Sequence, residues 1–314
     1  MVEVSNAGRV VFPAVGRTKG DVVDYYERIA PRLLPHVEGR PLSIKRYPKG
    51  LAGAGFFQKN VPAHYPASIT RHPVARSRAA SKKHAAASED VTLYPLVHEA
   101  EHLAFLANQG ALELHVPTAR VDSEGRPDRI VFDLDPPAGA VAEVRRAALI
   151  VRDALEALGV ASVPVATGSK GYHVVAPILP TVDALAIETA VQQLSALLAA
   201  MDPDELTIAF RIALRGQRVF IDWLRNRGNA SVVAPYSLRA RPHANVTTPL
   251  AWSELESTAP DTFTMADVVR LLDRPDPLAA LAARPADPAP FVAAVARDFA
   301  HSGMVLERFD RFRS

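Results

Sequence analysis

Apolar positions along the 314 residues follow two rhythms, one with helical spacing and one alternating with period two. "TKGDVVDYYERIAPRLLPHV" opens with T-x-x-D, Thr18 to Asp21, the pattern of a capping box, and Val22, Tyr25, Tyr26 and Ile29 follow at helical spacing. "LYPLVHEAEHLAFLANQG" reads as a second helix closed by Gly110. "VAEVRRAALIVRDALEALG" and "VDALAIETAVQQLSALLAAM" read as two more. "RPLSIKRYP", "ALELHVPTARV", "DRIVFDLD" and "QRVFIDWL" read as strands, and "SVPVATG" and "YHVVAPI" as strands around a Gly-rich turn. Residues 71–90, poor in apolar positions and rich in charge, read as a mobile loop. Strands and helices mix without a regular βαβ beat, so the expected class is α+β, a mixed α/β fold rather than a doubly wound sheet. No internal repeat is visible. The stretch after about residue 275, rich in Ala, Pro and Arg, reads as peripheral.

Composition narrows the picture only a little. The hydrophobic fraction of 48% and the charged fraction of 22% are those of an ordinary soluble protein. A net charge of +2 does not mark a nucleic-acid binder, so any polyanion site has to come from local clustering. With no cysteine, disulfides, thiolate metal sites and Cys nucleophiles are excluded. No run approaches the roughly 18–20 apolar residues of a membrane span, and the start, "MVEVSNAGRVVFP", has no secretory pattern. A soluble, cytoplasmic protein with no membrane partner is expected.

The candidate chemistry begins with "DRIVFDLDPPAG". Alternation puts Ile130, Phe132 and Leu134 on one face of the strand and Val131, Asp133 and Asp135 on the other. The two carboxylates then stand about 7 Å apart at the backbone, and like charges so placed repel unless something positive sits between them. One reading is a solvated strand end; the other is a divalent-metal site. Asp222, ending the apolar run of "RVFIDWLRN", is a third strand-borne acid, and three such acids suit two Mg²⁺ or Mn²⁺ ions with oxygen ligands. The competing reading of Asp222 is an ion pair with Arg225 or Arg218.

"TGSKGYH" packs Gly168, Ser169, Lys170 and Gly171 into a turn with His173 beyond, a cradle for phosphate oxygens or a mere hairpin connection. Arginines are dense between 205 and 245, among them Arg211, Arg215, Arg218, Arg225, Arg227, Arg239 and Arg241, which suits a polyanionic substrate. Phe56 and Phe57 in "GAGFFQKN" point to opposite sides of an extended backbone, so one could stack on a base beside Lys59, or both could be core. Lys19 opens the first helix with Arg9 ten residues earlier, where a helix N-terminus favours phosphate. "HEAEH", residues 98–102, matches the H-E-x-x-H zinc pattern, with His98 and His102 as ligands, Glu99 as base and His115 as a third ligand; the rival reading is a solvent-facing helical stripe.

Taken in order, "TKGDVVDYY", "RPLSIKRYPKG", "GFFQKNVP", "GALELHVP", "PDRIVFDLDPP", "TGSKGYHVVAP", "VFIDWLRN", "APYSLRARPHA" and "PLAWSEL" resemble the polymerase domain of bacterial DNA ligase D and its stand-alone relatives, in the archaeo-eukaryotic primase superfamily. The resemblance runs from about residue 5 to 275. It implies a primase-polymerase core over residues 1–275, an RRM-like antiparallel sheet plus an N-terminal α/β module around a central cleft, with 276–314 a peripheral extension. It implies template-directed nucleotidyl transfer with two Mn²⁺ or Mg²⁺ ions on Asp133, Asp135 and Asp222. His115, Thr167, Ser169, Lys170, His173, Arg215 and Arg239 would line the pocket for an incoming NTP or dNTP. Phe56 and Phe57 would meet the template, Arg225 would assist beside Asp222, and Lys19, with Arg9 and Asn6, would hold a 5′-phosphate across a gap or break. The family tends to prefer ribonucleotides. Its Gly-rich turn usually reads S-G-G-K-G-x-H, so Thr167 stands for the serine that contacts the triphosphate and Ser169 for a glycine. No K-x-D-G adenylation motif is visible, so a separate DNA ligase and end-binding repair proteins are the expected partners on DNA. The alternatives are a DNA-end binding and bridging module with secondary catalysis and, more remotely, a zinc protease.

Overall fold

Thr18 fixes where the first helix begins. Its hydroxyl accepts the Asp21 amide while Asp21 takes the Thr18 N–H, and helix α1 runs Lys19–Val37 from that box. The computed structural model describes residues 3–75, 91–123, 125–228 and 230–306. Before α1 come β1 (Val10–Phe12) and β2 (Arg17–Thr18), a small hairpin. After it follow β3 (Ser43–Arg46), β4 (Phe56–Gln58), β5 (Thr70–Ala75), β6 (Val91–Leu96), α2 (Ala100–Asn108), β7 (Ala111–Val116) and β8 (Arg129–Asp135). Then come α3 (Val141–Ala157), β9 (Val163–Ala166), β10 (Tyr172–Pro177), α4 (Ala184–Met201), β11 (Leu206–Thr207), β12 (Val219–Asp222), β13 (Val232–Val233) and β14 (Thr248–Pro249). Short helices α5 (Val268–Asp273) and α6 (Pro277–Ala282) and the longer α7 (Pro288–Ser302) complete the described chain.

Two sheets carry the architecture. One has the order β11-β12-β8-β10-β9-β14, antiparallel except for the parallel β11–β12 pair. The other, β13-β7-β3-β4, is antiparallel throughout. Ile130, Phe132 and Leu134 are fully buried, and α3 and α4 lie against β8. Helix α1 packs on α2 and reaches the second sheet through the Tyr26 hydroxyl, which donates to the Leu112 carbonyl at 2.6 Å. The mixed α/β class agrees with the expectation.

Three expectations need correction. "LYPLV" is strand β6, not helix, because Pro95 has no N–H for a helical ladder and disfavours helical backbone before it; the helix waits until Ala100. Residues 71–75 belong to β5, paired with β6 from Thr70↔Leu96 to Ala75↔Val91, so the charged stretch begins as a strand; the remainder of the expected loop, 76–90, lies outside the described residues. The third concerns α4. By length and a mean hydropathy of 1.4 over 18 residues it is apolar enough to cross a membrane. Here Ile187, Ala190, Val191, Leu194 and Leu198 enter the core, and Glu188 pairs with Arg227 at 3.1 Å. The C-terminal stretch packs through α7 onto α4, with Phe291 and Val295 buried.

Candidate active site

Registry brings the acids together. Asp133 on β8 is the direct cross-strand partner of Asp222 on β12 and of His173 on β10. Directly opposed residues share a face, so His173, Asp133 and Asp222 form one row over three strands, with Asp135 on the same face two residues on. The Arg225 guanidinium bridges the acids, 2.9 Å from Asp133 and 2.9 Å from Asp222, and His173 Nε2 lies 3.4 Å from Asp133. Asp222 thus makes the ion pair with Arg225 and still sits in the acid row.

The charges are unevenly matched. Burial pushes the Asp133 carboxyl up, but His173 and Arg225 outweigh it and hold the group well below the carboxylate range. At Asp222 burial wins: despite Arg225, desolvation with the nearby Asp133 and Asp135 raises its carboxyl to about 6.

Facing this row is the second sheet. Phe57 on β4, Lys45 on β3 and Glu113 on β7 are successive cross-strand neighbours, with His115 two residues beyond Glu113. Residues of both sheets line one cleft of about 500 Å³ with Lys170, Arg239 and Arg241. Glu113 is the buried centre of this wall: it takes His115 at 3.0 Å and the Ala240 amide at 2.9 Å, with Arg239 at 3.7 Å and Lys45 at 3.9 Å. Burial would raise its carboxyl, but His115, Arg239 and the amide bring it down to about 2. Burial lowers His115 against the pull of Glu113. Glu113 and Lys45 were not singled out in the sequence, and Arg241 stood out there only as one of a run of arginines; the signal for Glu113 was an acid two residues before a candidate His on one strand face.

The Gly-rich turn closes the cleft. Gly168 is at φ +65°, and a Cβ there would meet Arg239 Cγ at 2.8 Å; a Cβ on Gly171 would lie 2.0 Å from the Leu134 carbonyl oxygen. The Thr167 hydroxyl donates to the Gly171 carbonyl at 2.7 Å, so its proton closes the turn. Ser169 Oγ instead accepts from Arg241 at 2.6 Å and keeps its own proton free. Lys170 Nζ donates to the Pro136 carbonyl at 3.0 Å and lies 3.4 Å from Asp135.

The other candidates stand apart. Arg215 is outside the cleft lining, its guanidinium 3.7 Å over the ring of Phe220, which is the cross-strand partner of Asp135. Phe56, on the other side of β4, is exposed beside Arg46, and Phe57 is exposed too, so neither is core. Lys19 is buried and donates to the Ser5 carbonyl at 2.6 Å and hydroxyl at 2.8 Å; burial and Arg9 lower its ammonium. Arg9 Nε is buried with no partner among the described residues, and the exposed Asn6 adopts φ +52° close by in the chain.

"HEAEH" does not assemble a zinc site. Glu99 caps α2 in extended conformation, so His98 lies before the helix rather than one turn from His102. Each ring has its own acid, Glu38 at 3.8 Å for His98 and Glu99 at 3.0 Å for His102, while His115 belongs to the cleft.

Comparison with known proteins agrees with this geometry. The family model described as "LigD, primase-polymerase domain" matches residues 18–278. The chain belongs to this family. It is therefore a nucleotidyltransferase of the primase-polymerase type. It is 36% identical over 267 residues to the multifunctional non-homologous end joining DNA repair protein LigD of Mycobacterium tuberculosis, covering 82% of this chain and 34% of that protein. It is 29% identical over 274 residues to the bifunctional non-homologous end joining protein LigD of Bacillus subtilis, covering 85% of this chain and 42% of that one. The chain thus spans about a third of the length of the mycobacterial relative. Among solved structures, the polymerase domain of Mycobacterium tuberculosis ligase D in complex with DNA superposes with a TM-score of 0.81 at 34% identity, covering 91% of this LigD-family chain and 99% of that one.

Proposed function

We propose that the chain adds nucleotides to a DNA primer 3′-hydroxyl opposite a template strand, filling short gaps or broken ends that carry a downstream 5′-phosphate. The observation carrying this reading is that His173, Asp133 and Asp135 face Phe57, Lys45 and His115 across one cleft, with the buried Asp222 paired to Asp133 just outside its lining. A primer hydroxyl brought to the acid row attacks the α-phosphorus of a bound nucleotide, the bond to the bridging oxygen breaks, and pyrophosphate leaves. Asp222 serves with Asp133 and Asp135 as an oxygen ligand for the divalent ions, and the hydroxyl proton passes to solvent. Lys170, Arg239 and Arg241 hold the triphosphate, with the free Ser169 proton as a further donor, and exposed Phe57 offers a face to a template base.

The donor set fits divalent ions. Asp133, Asp135 and Asp222 are hard oxygen ligands on one face of neighbouring strands. Among the described residues no three acid or histidine side chains converge on one point, and Arg225 holds the ground between Asp133 and Asp222; loading requires it to yield. Two Mn²⁺ or Mg²⁺ ions, when bound, supply charge neutralisation and a more acidic hydroxyl.

Asn6, Arg9 and Lys19 form the 5′-phosphate end, where the unpartnered Arg9 Nε supports anion binding. DNA ends or gaps are the substrate, and ribonucleotides are favoured over deoxynucleotides. The test is a labelled primer opposite a one-nucleotide gap, with and without the downstream 5′-phosphate, supplied with Mn²⁺ and either NTP or dNTP. Templated addition, faster with the phosphate and with NTP, supports every part of the reading. Phosphate-dependent binding without addition favours the end-bridging alternative.

A further inference from the structure

The strand that delivers Asp133 and Asp135 to the cleft begins in a second cavity. From Arg129 to Asp135, β8 covers about 20 Å at ~3.3 Å per residue. At its start lies a cleft of about 640 Å³, larger than the catalytic one and sharing no lining residue with it. We propose that this second cavity binds a small organic anion with an apolar body.

Its walls are of two kinds. Val175, Pro177 and Ile178 from the sheet and Leu278, Ala279 and Ala282 from α6 give it an apolar side. The polar side holds Arg120 and Arg129 with Asp122 and Asp128, each acid paired to an arginine. Arg129 is only 12% exposed; among the described residues its side chain makes one hydrogen bond, a long 3.4 Å one from Nε to Asp128, and its two terminal nitrogens donate to nothing. Arg120 lies on the backbone of Gly39 (φ +68°), where a Cβ would meet its Nη2 at 2.8 Å, and its Nε reaches the exposed Asp122 at 3.3 Å.

The nearby acids are already engaged. Asp128 serves both Arg40, fully buried behind the cavity wall, and Arg129. Arg40 Nε has no partner among the described residues, and burial with the neighbouring Arg129 lowers this guanidinium to about 9 despite Asp128. His36 is bound at 2.8 Å to Asp276, which also takes the Leu278 and Ala279 amides and pairs with Tyr236, so neither faces the cavity as a free acceptor. A nearly buried guanidinium with unused donors, in an apolar pocket without a free carboxylate, is complementary to an anion: planar N–H pairs match carboxylate or phosphate oxygens and the α6 side takes the hydrocarbon. Helix α6 spans Pro277–Ala282, and the family match ends within it at 278.

Isothermal titration of the full chain with phenyl phosphate tests the site, with inorganic phosphate as the ligand lacking a body. Arg129→Met removes the guanidinium. Ala282→Trp, at an exposed α6 position, fills the cavity without burdening the core. Lys170→Ala removes a cation of the catalytic cleft instead. The expected result is phenyl phosphate binding at least tenfold tighter than inorganic phosphate, weakened at least tenfold by each cavity variant and unchanged by Lys170→Ala. The proposal is overturned if wild type does not bind, if both cavity variants bind as wild type, if only Lys170→Ala weakens binding, or if the two ligands bind alike. Should Arg129→Met fail to fold, Ala282→Trp decides alone.

Discussion

Phe57 stands 55% exposed on β4, with the His115 ring 5.2 Å away edge-on and Lys45 over its face at 5.8 Å. Burying an aromatic of this kind is the default, so its exposure beside cations points to stacking on a base. Phe57→Ala is expected to weaken affinity for a templated primer by roughly 5- to 150-fold, the range of one base stack at ~1–3 kcal/mol, with little change in thermal unfolding. Glu113 makes a different prediction. Its carboxyl falls to about 2 in the folded protein against ~4.3 in an unfolded chain, so its ion pairs stabilise the fold above the unfolded value and that stability is lost as pH falls through 4.3 toward 2. The effect is about 3 kcal/mol at most. Urea unfolding from pH 6 to 2.5 is expected to show a steeper loss for wild type than for Glu113→Gln; parallel curves would remove the assigned role. At this scale Asp133 and Asp135 were legible because strand alternation alone sets both on one face. Glu113 was not, because an acid inside "ALELHV" shows its partners only after Arg239 and Ala240 fold back onto β7.

The β10 strand and its preceding turn depend on one missing side chain. A Cβ on Gly171 would sit 2.0 Å from the Leu134 carbonyl, backbone against backbone, at the point where β8 ends in Asp135. Gly171→Ala therefore has to part the β8–β10 pair. It is expected to lower stability by ~2 kcal/mol or more and to reduce primer extension by displacing His173 from Asp133, read by thermal unfolding together with extension rates. Wild-type values in both would contradict the close approach. Elements with strong local signals were legible, as the Thr18–Asp21 box shows for α1. "LYPLV" misled because an apolar run ahead of a true helix extends its periodicity, while Pro95 quietly forbids the continuation. β5 was hidden because its pairing with β6 spans some twenty residues, and only tertiary partners make a strand of "RHPVA".

For the whole molecule, the two sheets face each other across the cleft, and no local pattern says that they should. Alternation gives each strand an inside and an outside; it does not say that the Phe57–Lys45–Glu113 row meets the His173–Asp133–Asp222 row. That juxtaposition came into view in the sequence only through the resemblance to a known family, whose ordered motifs carry long-range information that composition lacks. The same limit applies to α4, whose apolarity is that of a span until its burial against the core is seen. The central claim is that the acid row performs nucleotidyl transfer while the rest of the cleft and the Lys19 end hold substrate. Extension of a gapped primer in Mn²⁺ by wild type and Asp133→Ala/Asp135→Ala, with DNA affinity measured on the same samples, tests it most directly. The account predicts extension reduced by at least ~10³-fold with DNA affinity within a few-fold of wild type. Extension by the double variant at the wild-type rate, or its loss only in step with DNA binding, would contradict it.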